Sequence, residues 1–322
     1  MTQQAPSLTS PLRGQWFSWL DKLATPLQTA LQDVVQGSSG AREAKDWLNG
    51  TPVRHRMHPA MVIVPLGAWT TGAVLDLLDA LSAEPKYRAG ADAAVVLGLV
   101  GSVPAALAGL ADWMDTFEHQ RRVGMAHAGL NSLAVGLYLS SLGMRLAGEE
   151  HRGAARALAA LGYGVGALSG ALGGEMVYTL GVNVPHTVYP KPPADWTDVL
   201  ASADLPSGKP VVVEVGRVPV LLLRQGGQVF ALQEWCPHAG GPLAKGTFEG
   251  DTVTCPWHGS CFRLSDGRPL HGPAAVNAPT FEVREEGGRL SVRPAHEAKD
   301  WPPPPAAAHG RPQLEPGPGR PA

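Results

Sequence analysis

Four stretches of the chain, residues 57–75, 93–111, 123–144 and 157–174, contain no Asp, Glu, Lys or Arg. At 1.5 Å per residue each comes close to the roughly 20 residues that cross a bilayer. Helices of a soluble bundle need a charged outer face, and these have none, so four transmembrane helices are expected. In the last stretch Gly162, Gly166, Gly170 and Gly174 recur at every fourth residue, which predicts a bare helix face open to close approach by a neighbour. Upstream, Trp16, Leu20, Leu23, Leu27, Leu31 and Val34 recur at threes and fours, the period of an amphipathic helix. With Trp16, Phe17 and Trp19 near its start, that helix suits either a membrane surface or a protein face.

Beyond residue 196 the period changes. Short runs rich in Val and Leu at 211–215, 218–223 and 229–232 read as strands, and Gly226-Gly227 marks a hairpin between the second and third. Residues 280–284 and 289–292 form a second candidate hairpin around Gly287-Gly288. The expected fold class is therefore α + β and multidomain, a four-helix transmembrane bundle followed by a small antiparallel β domain. The expected divisions are an amphipathic region at 1–50, the bundle at 51–181, a connector at 182–196, the β domain at 197–295 and a tail at 296–322. Pro185, Pro190, Pro192 and Pro193 stiffen the connector, and the tail of Pro, Ala and Gly lacks core-forming residues, so it is expected to be disordered.

The length of 322 residues fits two domains, and a net charge of −2 gives no reason to expect nucleic acid. No basic leader followed by an apolar run opens the chain, so no cleavable signal peptide is expected. The chemistry concentrates in Cys236-Pro-His238, then sixteen residues, then Cys255-Pro-Trp-His258. Two thiolates and two imidazoles could hold tetrahedral zinc, but zinc sites usually pair Cys with Cys and His with His along the chain. One Cys and one His from each of two loops is instead the ligand set of a Rieske [2Fe-2S] centre. Cys236-Pro-His-Ala-Gly-Gly-Pro-Leu243, Cys255-Pro-Trp-His-Gly-Ser260 and Gly272-Pro273-Ala274 resemble the two cluster loops and the covering proline loop of the Rieske family, over about residues 195–295.

The resemblance implies a [2Fe-2S] cofactor held by Cys236, His238, Cys255 and His258, with the outer nitrogens of the two His facing solvent or a partner. Of three Cys only Cys261 then remains, without a partner for an intrachain disulfide, which fits a reducing compartment. The bc-complex branch of the family bridges an extra Cys in each loop. Gly240 or Gly241 and Trp257 lie near those places here, as in the ferredoxin branch. Ser260 matches a hydrogen-bond donor to cluster sulfur found in high-potential relatives, whereas Phe262 stands where they have Tyr. A low-to-middle potential follows.

Residues 45–185 resemble an uncharacterised four-helix membrane-domain family that occurs fused to Rieske domains. The match rests on His55-Arg-Met-His58-Pro, Pro65-Leu-Gly-Ala-Trp69, Asp112-Trp-Met-Asp115, Arg122-Val-Gly124, His127 and Asn131. Four crossings would gather His55, His58, Asp112, Asp115, His119 and His127 on the side that carries the β domain. These are either interfacial residues capping helix ends, or a b-haem or second metal held by His58 and His127, or a quinone pocket. The expected function is membrane-anchored one-electron transfer between a membrane donor (quinone, haem or reductase) and a protein partner or quinone. The lipid bilayer is itself a partner, and the expected location is the plasma (inner) membrane, multi-pass, with the Rieske domain cytoplasmic. The alternatives are a Rieske-dependent membrane oxygenase or desaturase component, whose mononuclear iron would need two His and a carboxylate, and a non-redox scaffold with a sensing cluster. After residue 292 only His296 and His309 remain for such an iron, and Asp115, His119 and His127 have the wrong order and spacing.

Overall fold

The computed structural model describes residues 17–82, 85–188 and 191–295. Trp16, Pro190 and the tail from residue 296, with His296 and His309, lie outside them. The helical part runs α1 (Trp19–Gly37), α2 (Ser39–Asn49), α3 (Met57–Ser82), α4 (Pro85–Trp113), α5 (Glu118–Ala147) and α6 (Arg152–Tyr178). The expected amphipathic helix is α1, and a second helix follows it because Ser38 leaves the helical conformation and its Oγ accepts from Ala41 N–H to cap α2. Gly50 ends α2 at φ +84°, where a Cβ would lie 1.7 Å from the His55 carbonyl oxygen. Leu20, Ala24 and Gln28 form the buried face of α1, and the Gln28 amide donates to the carbonyls of Trp113, Met114 and Thr116. Trp19, Leu23, Leu27 and Val34 of the same helix stay exposed.

In the four-helix bundle α3 packs along α4 and α5 along α6. At its centre Trp69 stacks on Tyr138, with ring centroids 4.2 Å apart and planes 9° apart. Gly98 makes room for this, since a Cβ there would meet Trp69 Nε1 at 2.0 Å. Outward positions such as Ile63, Leu77, Leu81, Val100 and Leu107 are exposed, as helices in lipid require. Among the described residues three helical segments are long and apolar enough to cross a membrane: Met57–Ser82, Lys86–Trp113 and Glu149–Tyr178. The third expected span falls on α5, which is not among them. His127, Asn131, Ser140 and Ser141 dilute its apolar content, and the Ser141 hydroxyl is buried against the Ala155 carbonyl. The glycine stripe of α6 is also used only in part. Gly162 and Gly166 meet α5 at Tyr138 and Ala134, whereas Gly170 and Gly174 have open space.

The β domain has three sheets, ordered β1-β10-β9, β2-β3-β4 and β5-β6-β7-β8. Its strands are β1 (Thr197–Ala201), β2 (Val211–Val215), β3 (Val218–Gln225), β4 (Gln228–Gln233), β5 (Thr247–Glu249), β6 (Thr252–Thr254), β7 (Cys261–Arg263), β8 (Pro269–His271), β9 (Phe281–Glu286) and β10 (Arg289–Pro294). Gln225 pairs with Gln228 across Gly226-Gly227, both at positive φ, the tight two-residue hairpin that the dipeptide predicts. Central β3 reads as a continuous apolar run because it is covered on both faces. Val220 and Leu222 pack towards Phe281, Leu290 and Val292, while Leu221 and Leu223 join Leu232, Phe262, Cys236 and Cys255. The second of these cores anchors both Cys-bearing loops.

Candidate iron–sulfur site

The two loops are built as the same turn. After β4, Cys236 N–H donates to Gly241 O and Gly240 N–H returns to Cys236 O, both at 2.8 Å. Between β6 and β7, Cys255 N–H donates to Ser260 O at 2.8 Å and Gly259 N–H returns to Cys255 O at 3.1 Å. Gly240 and Gly259 occupy equivalent positions at φ +79° and +72°, a conformation that disfavours a side chain. Each turn aims two backbone N–H groups at its own sulfur, those of His238 and Ala239 at Cys236 and those of Trp257 and His258 at Cys255. Gly241 lets the loops close, since a Cβ there would lie 2.8 Å from Cys255 Sγ.

The sulfurs of Cys236 and Cys255 lie within hydrogen-bonding reach of each other, and the His238 and His258 rings are 4.8 Å apart at 83°. Burial pushes the Cys236 thiol well up and holds His238 well below the usual histidine range, so the imidazole is neutral with a lone pair to offer and the thiolate needs a cationic partner at this depth. His238 is 5% exposed, and its Nδ1 is buried with no hydrogen-bond partner among the described residues. Such an orphaned imidazole nitrogen fits a missing metal bond. Among the described residues no three His, Cys, Asp or Glu side chains gather as ligands of a single ion. Tetrahedral zinc requires that gathering, whereas two irons taking two donors each do not.

The imidazole edge, expected to face solvent or a partner, is covered from within the chain. It meets the membrane domain, where Phe117, in the turn between α4 and α5, packs on His258 with ring centroids 4.5 Å apart. The proline loop is held from the same side. Gly272 N–H donates to Asp46 Oδ1 (2.8 Å), Thr51 Oγ1 donates to Gly272 O (2.6 Å) and Arg56 Nη1 donates to Pro273 O (2.7 Å). The connector joins in, with His186 N–H donating to Pro237 O at 3.2 Å. Sequence reasoning missed Asp46, Thr51 and Phe117, because nothing in a helix C-terminus or an interhelical turn announces a contact some 140 to 230 residues away.

The second candidate set divides into parts. Asp112 lies 3.9 Å from Arg56, and Asp115 is paired with Lys45 at 2.5 Å. His119 borders a surface cleft with Asp21, Glu118, Arg121 and Arg122, and His55 is exposed beyond α2. His58 and His127 come together, with ring centroids 6.5 Å apart, and Asp112 lies near enough to His58 and to Asp115 to feel their charge. The two-His, one-carboxylate grouping of a mononuclear iron site is not assembled from Asp115, His119 and His127.

Matched turns presenting paired thiols beside paired imidazoles define an iron–sulfur domain. Residues 195–282 match the Rieske [2Fe-2S] domain, and residues 54–186 match the predicted membrane protein family DUF2231. The chain belongs to the Rieske family, with a DUF2231 membrane domain N-terminal to it, and its cofactor is a [2Fe-2S] cluster. Ferredoxin CarAc of Metapseudomonas resinovorans is 35% identical over 98 residues, 30% of this chain and 92% of that protein. Apoptosis-inducing factor 3 of Mus musculus is 38% identical over 95 residues, and the chain spans only 16% of its length. The solved ferredoxin of carbazole 1,9a-dioxygenase from Nocardioides aromaticivorans IC177 aligns with 31% of this chain and 97% of its own, at 27% identity and a TM-score of 0.30.

Proposed function

We propose that this is a membrane-anchored one-electron carrier in which Cys236 and Cys255 hold one iron and His238 and His258 the other. The bound group supplies one-electron chemistry, at about −150 to +300 mV for this ligand set. The chain's own residues tune it. Four backbone N–H groups point at the two Cys sulfurs and favour added negative charge. Ser260 Oγ, fully buried, accepts from Ala274 N–H at 3.1 Å, which leaves the hydroxyl proton to donate to a sulfur. Phe262, in the same core as both Cys, has no hydroxyl to offer, so the potential falls in the low-to-middle part of the range.

The observation that carries the reading is the seating of the imidazole edge on the membrane domain, with Phe117 against His258. Exchange across that edge is with the bilayer side, which suits a membrane donor such as a quinone, a haem or a membrane reductase. Several relatives are ferredoxin components of dioxygenase systems, which supports a protein as acceptor. With Cys236 and Cys255 given to the cluster, Cys261 has no second thiol to pair with, which suits a Rieske domain on the cytoplasmic side of the plasma membrane. The test is metal, acid-labile sulfide and paramagnetic-resonance analysis of the full chain in detergent. Two irons and two sulfides per chain, with a reduced-state signal of mixed His and Cys ligation, are expected. Zinc without labile sulfide would overturn the assignment.

A further inference from the structure

The membrane domain contains a second pair of imidazoles with features of a built site. His58, in the first turn of α3, bonds through Nδ1 to the Ala105 carbonyl of α4 at 2.9 Å. His127, on α5, bonds through Nδ1 to the Ser169 carbonyl of α6 at 2.8 Å, and Ser169 Oγ lies 3.0 Å from the same nitrogen. A carbonyl can only accept, so Nδ1 carries the proton in both rings and Nε2 carries the lone pair. A second-helix carbonyl that fixes the tautomer in this way is the usual support of a metal-ligating His. Both rings lie against glycine, since a Cβ on Gly109 would meet His58 Cε1 at 2.8 Å and one on Gly173 would meet His127 Cε1 at 3.2 Å. All four long helices therefore contribute to placing the two rings.

The ring centroids are 6.5 Å apart with planes at 83°. Two imidazoles bound through nitrogen on opposite sides of one metal, at about 2.0–2.1 Å each, have centroids roughly 6.4 Å apart. We propose that His58 and His127 form a bis-imidazole site for a single metal centre inside the membrane domain. Asn131 Nδ2 donates to His127 Nε2 at 3.0 Å, so coordination exchanges one donor for a metal and requires only the Asn131 side chain to turn. Among the described residues no carboxylate or thiol completes a set of three ligands, Asp112 lying only near enough to His58 to feel its charge, so the site suits a centre that takes two imidazoles, either haem iron or a bare ion of low coordination number. The site does not depend on the ligand assignment of the Rieske cluster.

The experiment is metal analysis, a pyridine haemochrome assay and optical spectra of the full chain in detergent, as isolated and after addition of hemin or of copper(I). His58→Leu and His127→Leu are measured alongside, with the iron–sulfur signal as an internal check of folding. One haem or one additional metal ion per chain is expected in the wild type. It should fall at least tenfold in each variant while the iron–sulfur signal persists. A haem absorption band identifies haem as the source, and an extra ion without that band identifies a bare metal. A wild type that binds neither hemin nor copper and carries only the two cluster irons overturns the proposal, as does a metal retained in both variants. Should both variants lose their iron–sulfur signal as well, the wild-type stoichiometry alone decides.

Discussion

Replacing Asp46 with Ala tests whether the membrane domain holds the proline loop. Asp46 is 8% exposed, and its Oδ1 accepts from Gly272 N–H at 2.8 Å, a hydrogen bond to a charged acceptor worth about 1.5–3 kcal/mol. Its second contact, Oδ2 to His271 Nδ1 at 3.3 Å, adds little because the His271 side chain is 75% exposed. Thr51, bonded to the carbonyl of the same residue, remains in the variant, so the loop is loosened rather than released. A loss of about 2 kcal/mol is roughly a 30-fold rise in the open fraction. Hydrogen exchange of residues 269–275 in the detergent-solubilised chain reads this directly. Exchange should accelerate on the order of 30-fold in Asp46→Ala, and distinctly less in Asp46→Asn, which keeps an acceptor oxygen but not its charge. Unchanged protection in a folded Asp46→Ala chain would refute the argument that this carboxylate couples the two domains.

Three further outcomes follow from other contacts. Phe262→Tyr places a hydroxyl in the core that holds both Cys, and one added hydrogen bond to the reduced cluster, about 1 kcal/mol, should raise the midpoint by roughly 40 mV; a redox titration showing no rise would contradict it. Burial holds His186 below the usual histidine range, so the unfolded chain binds the extra proton and stability is lost as pH falls below about 6.5, levelling off only under the depressed native value. Melting of the β domain should therefore lose less on acidification in His186→Gln, and parallel melting curves would disprove it. Arg145, whose side chain is 1% exposed, bonds Asp76 and Asp92, so Arg145→Leu should cost about 3–5 kcal/mol in mixed-micelle unfolding, and a cost under about 1 kcal/mol would show the pair to be dispensable.

The parts of this molecule legible from sequence are those whose signal is local. The spacing of Cys236, His238, Cys255 and His258 marks two loops that lie side by side in the structure, and two of the hairpin turns are visible as Gly-Gly pairs, whose positive φ closes two strands in two residues, whereas those at Gly216-Arg217 and Gly250-Asp251 carry a weaker signal. The strands β5 to β8 were missed. At three residues each they show no period, and they are held by Phe248, Val253 and Phe262 packing in one core with Leu221 and Leu223 of β3 and Leu232 of β4. The membrane-side His and Asp residues were grouped by helix end, which fixes depth but not azimuth. The structure accordingly sends Asp115 to Lys45 and Asp112 towards Arg56, and leaves His58 and His127 as a pair. The apolar windows mark helices more surely than spans, because freedom from charge does not make a helix apolar when His, Asn and Ser recur along it, as they do on α5.

The two ends of the bundle are held in different ways, and the difference determines where the molecule can move. At the end away from the cluster, Asp76 and Asp79 of α3, Asp92 and Arg88 of α4, Arg145 of α5 and Arg152 and Arg156 of α6 form one ion-pair network drawn from all four long helices. Asp79 has a fully buried side chain, so sliding one helix past another would strand a charge in a medium of low dielectric. At the cluster end the contacts are Asp46, Thr51, Arg56 and Phe117, contributed by α2 and by turns rather than by helix interiors. These are neutral or singly charged hydrogen bonds of about 1–3 kcal/mol and one ring contact. Parting the β domain from the bundle strands no paired charge in lipid, whereas rearranging the bundle does. Any gating of access to His238 and His258 therefore runs through the plane between Phe117 and the Rieske loops, with the register of the helices fixed throughout.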